Sequence, residues 1–291
     1  MKWVINLAYV PEKLLEKKLL LFLQEDIDFG DITVENVPEK DVVAHLFAKQ
    51  PGVLCGLDFT KILLQYLGLK SYSEKKDGDL IVPKDLILTI EGSSKLILVV
   101  ERTILNLLMR LSGISTQTKT LVDIVKKFNK QIVIASTRKT TPGLRYFEKY
   151  AVKIGGGDPH RWSLSDTILI KENHLVLFHN ENIKDIVTKF KQVSSFTKKI
   201  DIEVETMEEF EEVLESDPDI IMLDDFTPDQ IRKSIEILNS HKLRKKPLIE
   251  ISGGINADNI ENYLLNGVDI ISIGALTHSV KSIDFSLKIQ S

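Results

Sequence analysis

From residue 131 onward, short and almost continuously apolar segments alternate with amphipathic segments. Apolar runs of this kind are typical of parallel strands buried on both faces, and the amphipathic segments have the spacing of helices that cover such a sheet. The repeated strand–helix units therefore predict a parallel α/β domain. We expect strands at QIVIAST (131–137), AVKIGG (151–156), TILIK (167–171), KIDIEVE (199–205), DIIMLDD (219–225), LIEISGG (248–254) and VDIISIG (268–274), and helices at 181–193, 207–216, 228–240 and 256–267.

Each predicted strand ends in polar or glycine residues. In an α/β barrel the carboxyl ends of all strands gather at one mouth, where active sites are found. Seven strands favour such a barrel. A doubly wound open sheet is the alternative, and it would bring fewer of these ends to one point. The strand ends are Thr137-Arg138-Lys139, Gly155-Gly156-Gly157, Lys171, Glu203 with Glu205, Asp224-Asp225, Ser252-Gly253-Gly254 and Gly274.

The first 130 residues lack this regular alternation, which predicts an α+β domain. We place residues 1–114 in this domain, together with the tail 277–291, and residues 115–276 in the barrel. The last predicted helix of the first domain closes near Gly113. We expect helices at 10–24, 59–69 and 101–116, and strands within 41–50, 52–57, 79–92 and 95–100.

Bulk composition excludes several classes of protein. The net charge of −4 and the pI of about 5.9 argue against a nucleic-acid partner, since basic residues are scattered among acidic ones. The N-terminal segment has no small-residue cleavage site, and no apolar stretch approaches the ~20 residues of a membrane-spanning helix. The single cysteine, Cys55, excludes an intramolecular disulfide and fits a reducing compartment. We expect a cytoplasmic protein that has no membrane partner.

Cationic side chains concentrate between residues 136 and 174 of this acidic chain. Because clustered cations repel one another, such a concentration at strand ends predicts a pocket for a small, highly charged anion. Salt bridges to acidic helices are the alternative, which suits helix lysines better than a strand-end cluster. His160 is a better functional candidate than His174, because it lies beside an arginine. The cations are Arg138, Lys139, Arg145, His160, Arg161 and Lys171.

Carboxylates and glycine loops at the other strand ends complete the predicted site. Glu203 and Glu205 share one strand face, and with Asp224 they could hold Mg²⁺ beside a polyphosphate. For Glu205, capping the next helix is an equal alternative. The loops ISGGI (251–255) and SIGAL (272–276) could present backbone N–H groups to a phosphate, although ordinary strand-to-helix turns also contain glycine.

A set of motifs then carries a resemblance. ERTILNLLMRLSGIST, TRKTTPGLR, EKYAV, IGGG, HR, LIKENH, EVE, IMLDD, ISGGI and GVDIISIGALTHS occur in this order. From about residue 20 to its end, the chain resembles the quinolinate phosphoribosyltransferases. The resemblance implies an N-terminal α/β sandwich, a seven-stranded α/β barrel, and the conversion of quinolinate and phosphoribosyl pyrophosphate to nicotinate mononucleotide, pyrophosphate and CO₂ in NAD biosynthesis. It also implies homodimers with shared active sites, some of which assemble further, as in a hexamer.

The resemblance implies roles for individual residues. The carboxylates of quinolinate would be held by Arg102, Arg138, His160, Arg161 and Lys171. Arg102 would be supplied by the partner subunit. Helix geometry alone favours a different interpretation of Arg102, as an exposed arginine paired with a neighbouring acidic residue. Thr137 would also contact substrate. The catalytic set would be Lys139, Lys171, Glu203 and Asp224, and Lys139, Glu203 and Asp224 would face phosphoribosyl pyrophosphate and Mg²⁺. The 5′-phosphate would lie near Ser252, Gly253, Gly254, Gly274 and His278.

The chain departs from the family pattern at two places. Asp225 stands where the family has asparagine, and the segment 158–163 differs around its histidine and arginine. These departures leave open a related molybdenum-transport-associated protein, a nicotinate-using transferase, and a non-catalytic sugar-phosphate-binding protein of the same fold. The first would lack the LIKENH-type motif, the second would need fewer cations, and the third would lack the acidic set.

Overall fold

A computed structural model describes residues 10–128, 130–178, 181–241, 243 and 245–290. The segment 1–9, where we expected no cleavage site, lies outside the described residues. Packing divides the chain into one unit of Met1–Lys119, Tyr146–Gly156 and Ser279–Ser291, and a second unit of Thr120–Arg145 and Gly157–His278. This division groups Tyr146–Gly156 with the first unit, whereas the sequence-based boundaries assign it to the barrel. Those boundaries stay a prediction.

The first unit is built on an antiparallel sheet with the strand order β12-β1-β5-β3. Strand β1 lies in the middle, where Ala44 pairs with Ile289 of β12 on one side and with Ile90 of β5 on the other. A separate two-stranded ribbon joins β2 to β4. The elements are α1 (Glu12–Ile27), β1 (Asp41–Ala48), β2 (Gly52–Val53), α2 (Leu57–Tyr66), β3 (Lys70–Tyr72), β4 (Leu80–Ile81), β5 (Leu86–Ser93) and β12 (Phe285–Ile289).

A single long helix, α3, extends from Ser94 to Lys127. Two predictions are therefore wrong: the segment 95–100 is helical instead of a strand, and the helix does not close near Gly113. Glycine has a packing reason at that position, because a Cβ on Gly113 would lie 2.5 Å from the backbone oxygen of Lys281. The glycine lets the C-terminal tail approach the helix closely.

The second unit contains a parallel sheet with the strand order β6-β11-β10-β9-β8-β7. Strand β8 is buried along its whole length, as expected for a strand covered on both faces. The strands are β6 (Val133–Ala135), β7 (Ile168–Ile170), β8 (Ile200–Val204), β9 (Ile220–Asp224), β10 (Leu248–Ser252) and β11 (Ile270–Ser272). The helices are α5 (Glu172–Leu175), α6 (Ile183–Val193), α7 (Met207–Leu214), α8 (Pro228–Ser240) and α9 (Ala275–His278).

The segment 151–156 is not the predicted strand. It forms the end of α4 (Arg145–Ile154), in which Phe147, Ala151 and Val152 are buried at helical spacing. In place of a seventh strand, the described residues have a single parallel bridge between Ala135 and Asp158. The segment 256–267 also differs from the prediction, because it has only a short 3₁₀ turn, Ile260–Tyr263, instead of an α-helix. The class of each domain, an antiparallel sheet followed by a parallel α/β domain, is confirmed.

Within the described residues, no helix is both long enough and apolar enough to cross a membrane.

Candidate active site

A pocket of about 270 Å³ lies at the carboxyl ends of the parallel strands. Strands β7 to β11 contribute side chains to its lining, and the segment that follows β6 contributes Thr137, Arg138 and Lys139. This convergence is what the barrel predicts, and an open sheet would bring fewer strand ends to one point. The lining consists of Thr137, Arg138, Lys139, His160, Arg161, Leu169, Lys171, Glu203, Met222, Asp224, Glu250, Ser252 and Ser272.

Nine of the predicted site residues line this pocket: Thr137, Arg138, Lys139, His160, Arg161, Lys171, Glu203, Asp224 and Ser252. Gly253 and Gly254 follow Ser252 in the next loop, and Gly274 and His278 lie beside Lys139. Arg102 does not line the pocket. It is exposed on α3, in the first unit. The structure thus brings together the predicted site except for the residue that the resemblance assigns to a partner subunit.

The floor of the pocket holds the imidazole of His160. Its backbone has a positive φ of 53°, and its N–H donates to Asp158 Oδ1 at 2.6 Å. Its Nε2 lies 3.2 Å from Oε2 of Glu250, a fully buried carboxylate on β10. His174, the other candidate histidine, is exposed, and its Nδ1 accepts from the backbone N–H of Lys171 at 3.0 Å. The structure therefore favours His160.

Two arginines lie close enough in the pocket to affect each other. Burial lowers the pKa of Arg161, and the positive charge of Arg138 lowers it further, while Asp201, Glu203 and Glu250 act in the opposite direction. Nε and Nη1 of Arg138 are buried, and no described residue accepts from them. Because buried guanidinium donors are costly to leave unpaired, they are suited to an anionic ligand.

Carboxylates form an acidic wall of the pocket. Glu203 is buried and makes an ion pair with Lys171. Oxygens of Glu203, Glu205 and Asp224 lie within 4.8 Å of one another. The charge of Glu172 raises the pKa of the exposed Glu205, and desolvation and the other nearby carboxylates add to this effect. Oxygen ligands in such a group are those that Mg²⁺ prefers. Glu205 does not cap α7, because Thr206 does so by accepting from the Glu209 N–H.

The loop after β10 is shaped by contact with the loop after β9. Asp225 has a φ of 56° and donates its N–H to the Ser252 oxygen at 3.0 Å. A Cβ on Gly253 would lie 2.0 Å from Oδ1 of Asp225, so only glycine fits there. Gly254 has a φ of 56°, and no atom lies within 4 Å of the position that a Cβ would occupy. The turn thus leaves Gly254 accessible to a ligand.

The loop after β11 packs against the lysine at the end of β6. Thr277 Oγ1 donates to the Lys139 backbone oxygen at 2.8 Å. A Cβ on Gly274 would come within 2.9 Å of Lys139 Cδ and 3.1 Å of His278 Nε2. Gly274 therefore allows both side chains to approach the pocket edge.

The unusual segment 158–163 forms an ordered loop. The N–H groups of Trp162 and Ser163 both donate to Asp166 Oδ2, at 2.6 and 3.1 Å. Arg145 is not in the pocket lining. Its Nε donates to Thr140 Oγ1 at 3.1 Å, and its Nη1 donates to the Trp162 oxygen. Arg145 is thus a cation that supports the loop, which the sequence reasoning grouped with the site.

Sequence reasoning missed the polar side chains below the strand ends. Asp201, Glu250 and Ser272 each stand two residues before a predicted mouth residue, and strand periodicity could have placed them on the same interior face. Neither carboxylate oxygen of Asp201 has a hydrogen-bond partner among the described residues. Burial raises the pKa of Asp201 well above its ordinary value, with a further contribution from Glu250.

Comparison with known proteins identifies this arrangement. Residues 31–112 match the N-terminal domain of quinolinate phosphoribosyl transferase, and residues 114–288 match its C-terminal domain. The chain belongs to the quinolinate phosphoribosyltransferase family. The resemblance drawn from the motifs is thereby confirmed, and so is the predicted activity of a phosphoribosyl-transferring enzyme of NAD biosynthesis.

Individual relatives agree over nearly the whole length. The chain is 44% identical to a probable nicotinate-nucleotide pyrophosphorylase [carboxylating] of Methanocaldococcus jannaschii, covering 95% of this chain and 96% of the relative. It is 32% identical to the nicotinate-nucleotide pyrophosphorylase [carboxylating] of Rattus norvegicus, covering 92% and 88%. The crystal structure of NadC from Streptococcus pyogenes matches with a TM-score of 0.88 and 34% identity, covering 98% and 99%.

Proposed function

We propose that the pocket holds both substrates of the carboxylating reaction, with the roles divided between its cationic and acidic walls. Arg138, His160, Arg161 and Lys171 bind the two carboxylates of quinolinate, and Thr137 lies beside them. The unpartnered Nε and Nη1 of Arg138 are the observation that carries this assignment. A guanidinium fork matches a carboxylate bidentately, so these donors fix the plane of the ring.

Phosphoribosyl pyrophosphate occupies the remainder of the site. Lys139 is directed to its anionic groups, and its 5′-phosphate lies at Ser252, Gly253, Gly254, Gly274 and His278. The open space at Gly254 supports this placement, because a phosphate oxygen can approach a backbone that carries no Cβ.

Mg²⁺ fits the acidic wall. Glu203 and Asp224 would hold it, directly or through water, and Glu205 lies within reach of the same ion. When bound, Mg²⁺ neutralises charge on the departing pyrophosphate. The carboxylates of Glu203 and Asp224 also stabilise the positive charge that develops on the ribose as the bond to pyrophosphate breaks.

The chemistry follows from this orientation. The ring nitrogen of quinolinate forms a bond to the anomeric carbon of the ribose, and the bond to pyrophosphate breaks. The resulting pyridinium withdraws electrons from the adjacent carboxylate. The carbon–carbon bond to that carboxylate breaks, CO₂ departs, and the electron pair left on the ring carbon takes up a proton. The cations hold the ring nitrogen in line with the anomeric carbon, which reduces the entropic cost of the attack.

We further propose that the enzyme is a cytoplasmic homodimer with shared active sites, and that it has no nucleic-acid or membrane partner. Arg102 of one copy completes the carboxylate site of the other. Its exposure on α3 supports this proposal, since an exposed arginine is available to a second chain.

The test is to measure CO₂ and pyrophosphate release by the purified protein with phosphoribosyl pyrophosphate and Mg²⁺, first with quinolinate and then with nicotinate. We expect equimolar release of both products with quinolinate alone. Chelation of divalent cations should abolish release, and added Mg²⁺ should restore it. Pyrophosphate without CO₂, or release only with nicotinate, would contradict the dicarboxylate assignment. No release with either substrate would favour the transport-associated or non-catalytic alternatives.

A further inference from the structure

Glu250 lies one layer below the mouth of the sheet. Residues two apart on a strand share a face, so Glu250 lies beneath Ser252 as Asp201 lies beneath Glu203. Branched aliphatic side chains ordinarily fill the interior layers of an α/β barrel, yet Glu250 and Asp201 are both fully buried there. A buried carboxylate is costly unless it is paired, so its retention requires a specific partner.

The partner of Glu250 is the imidazole of His160. The Nε2 to Oε2 distance is 3.2 Å, and the His160 side chain is only 14% exposed. The backbone on the histidine side is also constrained, since the His160 N–H donates to Asp158 Oδ1 and the preceding Pro159 oxygen accepts from Ser136 Oγ at 3.0 Å. The histidine backbone is therefore fixed by its own hydrogen bonds, and one nitrogen of the ring contacts Glu250.

We propose that Glu250 is a positioning residue for quinolinate, whose carboxylate holds the His160 ring with both nitrogens protonated and Nδ1 available to a substrate carboxylate. The proposal rests on the proposed role of His160 in binding that carboxylate.

The chemistry of hydrogen bonding leads to this assignment. A carboxylate only accepts hydrogen bonds, so a ring that contacts Glu250 through Nε2 and a substrate carboxylate through Nδ1 must donate from both nitrogens. A neutral ring would present a lone pair to one of the two anions. The negative charge of Glu250 also offsets the positive charges of Arg138 and Arg161 in the same pocket.

The unpaired atoms around the contact favour a functional role over simple packing. Oε1 of Glu250 has no partner among the described residues, and neither has either oxygen of Asp201. One oxygen of each carboxylate lies within 4.8 Å of the other and of a His160 ring nitrogen. An ion pair that served only to stabilise the fold would leave fewer buried acceptors unsatisfied, because each costs stability.

The experiment compares Glu250→Gln, His160→Ala and the double variant. Glutamine keeps the size of glutamate and removes its charge. The KM values for quinolinate and phosphoribosyl pyrophosphate are measured, with the Kd for phthalate, a dicarboxylate of the same spacing that lacks the ring nitrogen. For Glu250→Gln we expect the quinolinate KM and the phthalate Kd to rise about tenfold, as for a lost hydrogen bond to a charged group. The KM for phosphoribosyl pyrophosphate should stay within about twofold of the parent value, since non-interacting sites behave independently.

The double variant separates action through His160 from an independent effect. If Glu250 acts through the ring, Glu250→Gln should add nothing to the loss already caused by His160→Ala. Additive losses, or an equal rise in both KM values for Glu250→Gln, would overturn the proposal. A normal quinolinate KM in His160→Ala would instead refute the proposed role of His160. Glu236→Gln, an exposed glutamate on α8, is the matched control.

A second substitution covers the case in which Glu250→Gln does not fold. Glu250→Asp retains the charge and shortens the side chain by one methylene, so the carboxylate should no longer reach Nε2. The same selective rise in the quinolinate KM is expected, and a parallel rise in both KM values would overturn the proposal.

Discussion

Gly274→Ala should impair catalysis without unfolding the protein. A Cβ at this position would lie 2.9 Å from Lys139 Cδ and 3.1 Å from His278 Nε2, both atoms of side chains. The backbone of Gly274 is not in the left-handed region, so alanine introduces no φ strain. The side chains of Lys139 and His278 must therefore yield while the fold stays intact. We expect the melting temperature to change by no more than about 2 °C, because surface-accessible adjustments cost about 0.5 kcal/mol or less.

The loss of activity should be large by comparison. Moving a catalytic group by about 1 Å can reduce the rate about 100-fold, and the clash requires Lys139 to move by several tenths of an ångström. We therefore expect kcat/KM for phosphoribosyl pyrophosphate to fall between about tenfold and 100-fold. The assay is steady-state pyrophosphate release, with melting followed by circular dichroism.

Gly113→Ala is the contrasting variant. Its Cβ would lie 2.5 Å from the Lys281 backbone oxygen, which cannot move as a side chain does. Overpacking of this kind costs about 1–3 kcal/mol, partly offset by the higher helix propensity of alanine. Stability should fall while the pocket residues are unchanged.

Activity of Gly274→Ala within twofold of the parent would refute the reasoning, since Lys139 would then tolerate displacement.

Four further outcomes are expected. Lys139→Ala should abolish turnover at an unchanged melting temperature, whereas the exposed-helix control Lys233→Ala should be active; near-normal turnover would remove Lys139 from the mechanism. Mixing inactive Arg102→Ala and Arg138→Ala proteins should restore up to about a quarter of the activity if active sites are shared between subunits. This is the fraction of intact sites that random assembly of symmetric dimers produces. No recovery of activity would argue against shared sites. Asp225→Asn should raise the melting temperature slightly, because asparagine tolerates a φ of 56°. The same substitution should lower the KM for phosphoribosyl pyrophosphate, because it removes a negative charge beside the phosphate loop. A raised KM would contradict this prediction. Burial raises the pKa of Asp77 above the ordinary value of 3.8, so the folded protein binds a proton at this carboxyl more tightly than the unfolded chain does. The free energy of unfolding should therefore decline as the pH rises from about 3.8 through the raised pKa. Asp77→Asn should remove this decline, and parallel curves of stability against pH for the two proteins would refute the prediction.

The strand ends were predictable because their pattern is local. A buried parallel strand reads as a continuous apolar run, and polar residues at or just after its carboxyl end lie at the mouth. Lys171, Glu203 and Asp224 could therefore be assigned to one pocket from the sequence alone. The resemblance to a family added the chemical identity of the ligands, which spacing does not encode.

The errors arose where packing partners are distant in sequence. The segment 95–100 is apolar enough for a strand, but it forms the first turns of α3. The apolar residues 151–154 share their composition with a short strand, and the buried face that includes Phe147 decides for a helix. Gly113 suggested a helix end, but its function is to admit Lys281, which lies far along the chain. Buried Asp201 and Glu250 were missed because only the residues at the strand ends were considered as site candidates, and both carboxylates lie two residues earlier.

The antiparallel sheet of the first unit has a consequence for the order of synthesis. Strand β1 is made early, yet its neighbour β12 pairs Phe285 with Ala48 only after the whole parallel sheet has left the ribosome. Until then β1 has an open edge on the side away from β5, and open edges recruit strands from other chains. The newly made enzyme must therefore protect that edge throughout elongation. Shortening the chain before residue 285 would make the exposure permanent, so such a truncated protein should aggregate although every pocket residue is present.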